Sequence, residues 1–378
     1  MQPATATESL ATVILEPWYK SLANPADAQR QVLLDLIKMY SGTRYGREHS
    51  ASEIRTIEDF RKSFPKIEYK DLTEHLDRVK SGDFEALLHE PPACWVMTRG
   101  STGTPKTLPA TQTHLQQILA CGARAFLNYA TRKKDPELLR GKILNLNFPA
   151  RVSTVRIADQ EVSYGYSSGS YAKFFPSLGQ ASLIPLQEEI DDLGPGITTP
   201  DWEARFEKVY ERALNENVAA AMGVAPVILS FARYVKRRHG KTPRELWSTR
   251  ALFCTSVRKI QYRYGPRLRR YFGEVPVVEI YSATEGVFAQ QLDDLPYVTP
   301  NYDKYLFEVE TGKGVRMLYE LKRGEWGRLI VSTCMFPRYD IGDMIEAMGG
   351  SYFRVFGRAK PLHILEHRLY RLLFRWFL

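Results

Sequence analysis

Residues 98–107 form a segment of small and hydroxyl-bearing residues that ends in a lysine and a threonine, and residues of these types can bind phosphate. The segment follows the apolar stretch 94–97 and reads Thr98-Arg99-Gly100-Ser101-Thr102-Gly103-Thr104-Pro105-Lys106-Thr107. Glycine lets the backbone come close to phosphate oxygens, hydroxyl and N–H groups donate hydrogen bonds to them, and lysine neutralises their charge. We therefore expect a polyphosphate-binding loop that follows a short strand.

This loop differs at one position from the phosphate-binding loop of P-loop NTPases. That loop has the pattern G-x-x-x-x-G-K-[ST], whereas Pro105 stands five residues after Gly100 in this chain. Because proline has no N–H group, the row of backbone donors is interrupted just before Lys106. The sequence therefore disfavours a P-loop NTPase.

Three further motifs lie downstream and carry an aromatic ring, hydroxyl groups, carboxylates and arginines. Residues 281–286 (Tyr-Ser-Ala-Thr-Glu-Gly) directly follow an apolar strand, and residues 337–343 and 356–358 contain Asp343 and Arg358. The carboxyl end of a strand is where α/β sheets place ligand chemistry. Each motif alone is typical of a turn or a packed core, but all of them together, in this order along the chain, are a specific signal of one kind of site.

The composition fits a folded protein in a reducing compartment. Of the 378 residues 44% are hydrophobic, and the four cysteines are scattered without a C-x-x-C pair. The first residues lack the basic start of a signal peptide, and no stretch approaches the roughly 20 apolar residues of a membrane span. We expect a cytoplasmic protein, and we do not expect a membrane as its partner.

The net charge of +9 suits anionic ligands. Basic residues cluster at 132–134, 236–238 and 263–270 beside helix-like or loop sequence. Neither zinc-finger spacing nor an aromatic RNA-binding signature accompanies these clusters. We therefore interpret them as solvated surface, and we do not expect nucleic acid as a partner.

The periodicity of apolar residues predicts helices followed by buried strands, and then a β-rich module. Helices are expected within 9–40, 71–80, 113–129, 202–213 and 226–237, and strands at 94–97, 142–148, 251–254 and 275–281. Residues 163–170 are expected to be a flexible Gly/Ser/Tyr segment, residues 306–331 antiparallel strands, and residues 362–378 a basic amphipathic helix. The fold class is therefore α/β.

Taken together, the motifs resemble those of the adenylate-forming superfamily, in the branch of phenylacetate–CoA ligases and plant acyl-acid amido synthetases. Residues 43–49, 106–111 and 222–226 match this branch, and the resemblance covers residues 30–358. It implies the large N-terminal domain of such enzymes, with two helix-flanked β-sheets and a smaller distorted β-barrel subdomain. This domain would span residues 1–358, and a residual hinge with the amphipathic helix would span 359–378.

The resemblance also implies a role for each matching residue. Catalytic roles fall to Lys106, Thr284 and Glu285, of which Thr284 would bind the α-phosphate of ATP and Glu285 would hold Mg²⁺. Asp343 would accept the ribose hydroxyls with Arg358 nearby, and Tyr281 would stack on adenine. The other implied cofactor-binding residues are Thr98, Arg99, Gly100, Ser101, Thr102 and Gly103 in the loop, and Thr255, Ser256 and Ser282. The implied substrate-binding residues are Tyr164, Gly223, Val224 and Ala283.

The implied reaction is ATP-dependent adenylation of a carboxylic acid. The acid's carboxylate attacks the α-phosphorus of ATP, which gives acyl-AMP and pyrophosphate, and the acyl group then passes to CoA, an amine or a carrier protein. Lys106 and Mg²⁺ supply positive charge, and we expect the helix that follows the loop to add its N-terminal dipole. The aromatic residues between 148 and 175 are typical of a pocket for a flat ring or of plain core. A similarity to adenylate-forming proteins of phenazine-antibiotic biosynthesis would imply a phenazine carboxylate.

Two departures from the family keep an alternative open. Arg99 stands where Ser or Thr is common, and only twenty residues follow Arg358, where family members usually carry a C-terminal lid domain. The alternative is a nucleotide- and acyl-binding protein that is catalytically incomplete and needs a partner domain in trans. A third hypothesis is a membrane-surface module that uses the helix at 362–378. The sequence does not define the oligomeric state.

Overall fold

The computed structural model describes residues 6–98, 105–178, 180–255 and 257–373. The chain divides into two compact units, of which the first comprises residues 1–16 and 92–296 and the second comprises residues 17–91 and 297–378. The helices are α1 (Ala6–Ala23), α2 (Pro25–Ser41), α3 (Arg44–Glu48), α4 (Ile57–Ser63), α5 (Thr73–Lys80), α6 (Gln112–Lys133), α7 (Ser167–Phe174), α8 (Gln187–Asp191), α9 (Thr199–Ala213), α10 (Ala225–His239), α11 (Pro243–Leu246), α12 (Gly265–Phe272) and α13 (Pro361–Leu373). The strands are β1 (Pro92–Met97), β2 (Thr107–Thr111), β3 (Lys142–Asn145), β4 (Ser153–Ile157), β5 (Gln160–Tyr166), β6 (Ser177–Leu178), β7 (Ala181–Ile184), β8 (Val218–Val224), β9 (Ala251–Thr255), β10 (Val277–Ala283), β11 (Gly286–Gln290), β12 (Thr299–Pro300), β13 (Leu306–Thr311), β14 (Gly314–Met317), β15 (Trp326–Ser332), β16 (Tyr339–Gly349) and β17 (Tyr352–Arg358).

The larger sheet of the first unit has a parallel centre with antiparallel edges. Its strand order is β11-β10-β9-β8-β3-β7-β6, in which β10, β9, β8, β3 and β7 run parallel. The central strands β8 and β9 are almost continuously buried, as expected for strands covered on both faces. Helices α9, α10 and α12 contribute Phe206, Phe231 and Leu268 to the core that covers one face. The parallel arrangement brings the carboxyl ends of β8, β9 and β10 to the same edge of the sheet.

The smaller sheet of the first unit has the order β2-β1-β5-β4. Strands β1 and β2 pair antiparallel from Met97↔Thr107 onwards, so the segment 98–106 connects two strands of one hairpin. Strand β1 also runs parallel to β5, where Met97 pairs with Tyr166. The sheet therefore joins the start of the predicted phosphate loop to the end of β5.

Two expectations need correction here. Residues 163–170 are not a flexible segment, since they form the end of β5 and the start of α7. The glycines of this segment are required by close backbone approach, not by flexibility. A Cβ added to Gly165 would lie 2.3 Å from the Ala150 backbone, and one added to Gly169 would lie 2.0 Å from the Phe148 backbone.

The helix α6 does not follow the loop directly, because β2 intervenes. A five-residue strand spans roughly 16 Å. The N-terminal dipole of α6, which is effective only within about one turn, is therefore too distant to act on that loop.

The second unit is built on a five-stranded antiparallel sheet with the order β14-β13-β15-β16-β17. The expected antiparallel strands in 306–331 are therefore confirmed. Helix α2 buries Val32, Leu33 and Leu36 on one face, and it ends at Ser41 with Gly42 as its C-cap, one residue beyond the range 9–40 expected from the sequence. Helix α13 packs against β17, where the His367 ring stacks on Phe356 at 3.8 Å between centroids. The C-terminal segment therefore is helical over 361–373, with His367 on the face that packs on this unit.

Most other expected elements are present with shifted ends. Strand 142–148 ends already at Asn145, the helix expected over 113–129 extends to Lys133, and the strand expected over 275–281 is β10. In the part of the chain that is described, no helix is both long and apolar enough to cross a membrane. The mixed α/β class with helix-flanked sheets agrees with the sequence-based expectation. The linear strand order leaves β14 and β17 at opposite edges of the sheet in the second unit.

Candidate active site

The two ends of the predicted phosphate loop are joined by two hydrogen bonds. The Thr98 N–H donates to the Lys106 carbonyl oxygen at 2.9 Å, and the Lys106 N–H donates to Thr98 Oγ1 at 2.9 Å. Together with the Met97↔Thr107 pair, these bonds close the base of the loop. The remaining predicted loop residues, Arg99, Gly100, Ser101, Thr102 and Gly103, lie outside the described residues, and so does Ser256 after β9.

Thr284 and Glu285 form the two-residue turn between β10 and β11. Ala283 pairs with Gly286 across this turn. Thr284 and Glu285 are buried, with only 8% and 6% of their surfaces exposed. The pairing shifts register between Tyr281 and Ser282, which is a bulge of the kind that redirects side chains near active sites. The turn therefore places a hydroxyl and a carboxylate together at the carboxyl edge of the larger sheet.

Strands β9 and β10 bring two further predicted residues into contact. Thr255 Oγ1 lies 2.6 Å from Ser282 Oγ, and Thr255 pairs in register with Ile280. The Tyr281 ring packs on Phe288, with 5.8 Å between the ring centroids. These contacts fix the strand ends from which the turn projects.

Helix α7 contacts the turn at both its main chain and its side chain. The Tyr171 hydroxyl donates to the Thr284 carbonyl oxygen at 2.8 Å, and Ser167 Oγ lies 3.3 Å from Thr284 Oγ1. Tyr171 Oη also lies 2.9 Å from Nε2 of the buried His114. His114 and Ser167 were not predicted from the sequence, and Tyr171 is there only one of the aromatic residues between 148 and 175, because nothing in the local sequence links α7 to a turn more than a hundred residues away.

An apolar and aromatic cluster lies where β1, β5 and β8 end. It consists of Met97, Phe148, Tyr166 and Val224, and the partly buried residues packed against it are Val152, Tyr164, Trp202, Val227 and Val257. Phe148 packs edge-on against Trp202 at 4.9 Å between centroids. The cluster thus brings together two of the predicted substrate-binding residues, Tyr164 and Val224, next to the strand that enters the phosphate loop.

Gly223 precedes Val224 at the end of β8 and has a φ of +152°. An added Cβ would lie 3.5 Å from the Leu146 carbonyl oxygen, which is ordinary contact. The requirement for glycine at this position therefore comes from the backbone conformation, not from crowding.

The other predicted nucleotide residues, Asp343 and Arg358, lie in the second unit and are paired there. They are directly opposite each other in β16 and β17, and Arg358 Nη1 donates to Asp343 Oδ1 at 3.0 Å. Gly342 has a φ of +77°, and an added Cβ would lie 3.0 Å from Arg358 Nη2. Glycine here lets the arginine lie beside the carboxylate.

The donor set fits a magnesium ion held jointly with a nucleotide. Mg²⁺ is usually bound by one or two carboxylates together with phosphate oxygens and water, not by an all-protein cage. Glu285 and Thr284 supply one carboxylate and one hydroxyl oxygen at the turn. Among the residues described, no group of three or more His, Cys, Asp and Glu side chains is arranged to hold a metal by itself.

Comparisons with known proteins place the chain near acyl-acid amido synthetases. Residues 15–190 match the GH3 family N-terminal domain. A probable indole-3-acetic acid-amido synthetase GH3.13 from Oryza sativa subsp. japonica is 30% identical over 102 residues, which cover 24% of this chain. The match spans only 22% of that relative's length.

Solved structures extend the likeness to almost the whole chain. The AtGH3.15 acyl acid amido synthetase in complex with 2,4-DB superposes with a TM-score of 0.77 at 16% identity, covering 95% of this chain and 72% of that one. The 2-hydroxyisobutyryl-CoA ligase in complex with 2-HIB-AMP and CoA superposes with a TM-score of 0.65 at 16% identity, covering 90% and 69%. The chain therefore has the mixed α/β fold of the N-terminal domains of adenylate-forming enzymes, and its first half is similar to the GH3 family N-terminal domain.

Proposed function

We propose that this protein is an adenylate-forming ligase that uses ATP and Mg²⁺ to activate a carboxylic acid as acyl-AMP. The observation that carries the proposal is the convergence of the ends of β8, β9 and β10 at one sheet edge. This edge holds Val224, Thr255 and the Thr284–Glu285 turn. Met97, the last residue of β1 before the predicted phosphate loop, packs in the same cluster as Val224.

In the proposed reaction one oxygen of the substrate carboxylate forms a bond to the α-phosphorus of ATP. The bond between the α-phosphorus and the bridging oxygen breaks, and pyrophosphate leaves with that oxygen and its electron pair. The protein's contribution is positioning and electrostatic stabilisation, since phosphoryl and nucleotidyl transfers need little covalent help. Lys106 stabilises charge on the β- and γ-phosphates, and the Thr284 hydroxyl donates to the α-phosphate.

Magnesium, when bound, neutralises charge that spreads over the phosphate oxygens. Glu285 would hold the magnesium ion, and Thr284 would contact the α-phosphate. Tyr281, Ser282, Thr255 and Ser256 would contact the adenosine, and Asp343 with Arg358 would bind the ribose. These assignments rest on the family pattern and on the grouping of the first-unit residues around the turn.

We propose an aromatic acid as the substrate. The cluster of Phe148, Tyr164, Tyr166 and Trp202 presents flat rings next to Val224, and such rings pack on an aromatic acyl group in offset or edge-on geometry. Gly223 and Ala283 would border the same group. A phenazine carboxylate is one acid of this class, and an amine, CoA or a carrier protein would accept the acyl group.

The test is carboxylate-dependent exchange of pyrophosphate into ATP. Lys106→Ala and Glu285→Ala are each expected to reduce exchange by about 10²-fold or more, the usual effect of removing one electrostatic contact to the transition state. The exposed residues Lys241 and Glu211 of the same unit supply the matched controls, Lys241→Ala and Glu211→Ala. Unchanged exchange in both site variants would overturn the assignment of roles.

A further inference from the structure

Helix α7 makes polar contacts with both the main chain and the side chain of Thr284. Its Tyr171 hydroxyl donates to the Thr284 carbonyl oxygen at 2.8 Å, and its Ser167 hydroxyl lies 3.3 Å from the Thr284 hydroxyl. Because Ala283 and Gly286 already pair across the two-residue turn, the hairpin itself does not require either contact. The carbonyl of a turn residue ordinarily faces solvent, whereas this one accepts a hydrogen bond from a partly buried tyrosine.

His114 supports the tyrosine from the first turn of α6. Its Nε2 lies 2.9 Å from Tyr171 Oη. The single hydroxyl proton of Tyr171 is given to Thr284, so Tyr171 Oη accepts from His114 and the Nε2–H tautomer is required. Thr111 caps α6 by accepting from the His114 backbone N–H at 3.2 Å, which holds the His114 main chain in the first turn of the helix.

The same helix adjoins the aromatic cluster at its N-terminal end. Tyr166 immediately precedes α7, belongs to the cluster and pairs with Met97 of β1. Ser168 of α7 also accepts a hydrogen bond from the Phe148 N–H at 3.2 Å. One short helix therefore contacts both the cluster and the Thr284–Glu285 turn.

We propose that His114 and Tyr171 are positioning residues that hold the Thr284–Glu285 turn in the arrangement that binds the magnesium–nucleotide complex. The relay runs from His114 Nε2–H to Tyr171 Oη and from the Tyr171 hydroxyl to the Thr284 carbonyl oxygen. This inference rests on the proposed function, since it assumes that the turn binds Mg²⁺ and ATP. It adds residues from α6 and α7 that the sequence motifs do not include.

The test is calorimetric titration with ATP, in excess Mg²⁺ and again in EDTA. Tyr171→Phe removes only the hydroxyl and is expected to weaken binding of MgATP by about three- to tenfold, the effect of losing one hydrogen bond that orders the site. Binding of ATP in EDTA is expected to fall by a smaller factor than binding of MgATP, because Thr284 still contacts the α-phosphate whereas the carboxylate of the turn then has no metal to hold. The control is Tyr234→Phe, which removes a hydroxyl bonded to Glu207 at 2.6 Å elsewhere in the same unit.

Variants of His114 separate positioning from packing. His114→Gln retains an N–H donor near the Nε2 position and is expected to keep MgATP affinity within about twofold, whereas His114→Leu is expected to reproduce the loss seen in Tyr171→Phe. If the unsubstituted protein binds MgATP and Tyr171→Phe binds it with the same affinity, this inference is overturned and the proposed function is not. An equal loss in Mg²⁺ and in EDTA would also overturn it. Failure of the unsubstituted protein to bind MgATP would overturn the proposed function as well.

Discussion

Gly223 illustrates how a single backbone conformation is required at the proposed acyl site. Its φ of +152° is one that residues with a Cβ rarely adopt, although space for a methyl group exists. We therefore expect Gly223→Ala to lower the free energy of unfolding by about 1–3 kcal/mol. Chemical denaturation of the purified variant measures this change.

Gly122 provides the matched control for that substitution. It lies inside α6, and an added Cβ would meet no atom within 4 Å. Because alanine is the better helix former, Gly122→Ala is expected to raise the free energy of unfolding by about 0.5–1 kcal/mol. Equal destabilisation by both substitutions would contradict the account of Gly223.

Glu279 in β10 gives the protein a pH-dependent stability. Burial raises the pKa of this carboxyl to about 7, above its ordinary value of 4.5. Between about pH 4.5 and 7 the folded state keeps a proton that the unfolded state releases. The contribution of Glu279 to the free energy of unfolding therefore falls as pH rises through this window, by on the order of 2 kcal/mol.

Glu279→Gln isolates this contribution, since the amide does not titrate. Two buried histidines, His114 and His367, have pKa values lowered to about 4 by burial and oppose the trend, but they are common to both proteins. The expected result is that the change in stability from pH 5 to pH 8 is less favourable in the unsubstituted protein than in the variant, by on the order of 2 kcal/mol. The same pH dependence in both would show that Glu279 does not titrate in this range.

At the scale of single residues, the sequence predicted several contacts of the candidate site but not their support. Thr98 and Lys106 close the loop that their residue types predicted, and Asp343 lies beside Arg358 as the family pattern implied. The roles assigned to these residues stay predictions. His114 and Ser167 were missed because their contacts depend on tertiary packing between elements far apart in the chain, which leaves no local signal.

At the scale of elements, the segment before β16 is held by a buried ion pair. Arg338 donates to Glu308 of β13 from Nε at 2.9 Å and to the Phe64 carbonyl oxygen from Nη1 at 2.8 Å. Both side chains are largely withdrawn from water. Because Glu308→Gln leaves a buried guanidinium without its counter-ion, we expect it to lower the free energy of unfolding by about 3–5 kcal/mol.

An exposed ion pair of the second unit is the control for that prediction. Glu74 and Arg78 of α5 lie 3.0 Å apart on the surface. Glu74→Gln is expected to change the free energy of unfolding by less than about 0.5 kcal/mol, since water screens such pairs. Chemical denaturation of the two variants in parallel measures both changes in the free energy of unfolding. A similar small change for both would mean that the Arg338–Glu308 pair does not stabilise the fold.

Elements with a clear period were predictable, and those set by pairing were not. The apolar spacing of 9–40 and 226–237 predicted helices that are present as α1, α2 and α10. Strand β2 and the β4–β5 hairpin were missed. Pro109 of β2 and Gly165 of β5 are residue types that are depleted in strands, and the pairing that makes these segments extended has no local signal.

At the scale of the whole molecule, the α/β class followed from the order of helices and buried strands, and the structure agrees with it. The division into two units did not follow, because the first 16 residues group with 92–296 while 17–91 group with 297–378. A discontinuous unit has no composition boundary that a sequence could reveal. Solved structures at 16% identity share this fold over most of the chain.

The measurement that tests the central claim most directly is ATP–pyrophosphate exchange with Mg²⁺ over a panel of aromatic and aliphatic carboxylic acids. The account predicts exchange that depends on an added aromatic acid and is lost in Lys106→Ala and Glu285→Ala. Binding of ATP or acid without exchange would favour a protein that binds these ligands but requires a partner to react. Absence of both exchange and MgATP binding would contradict the proposed function.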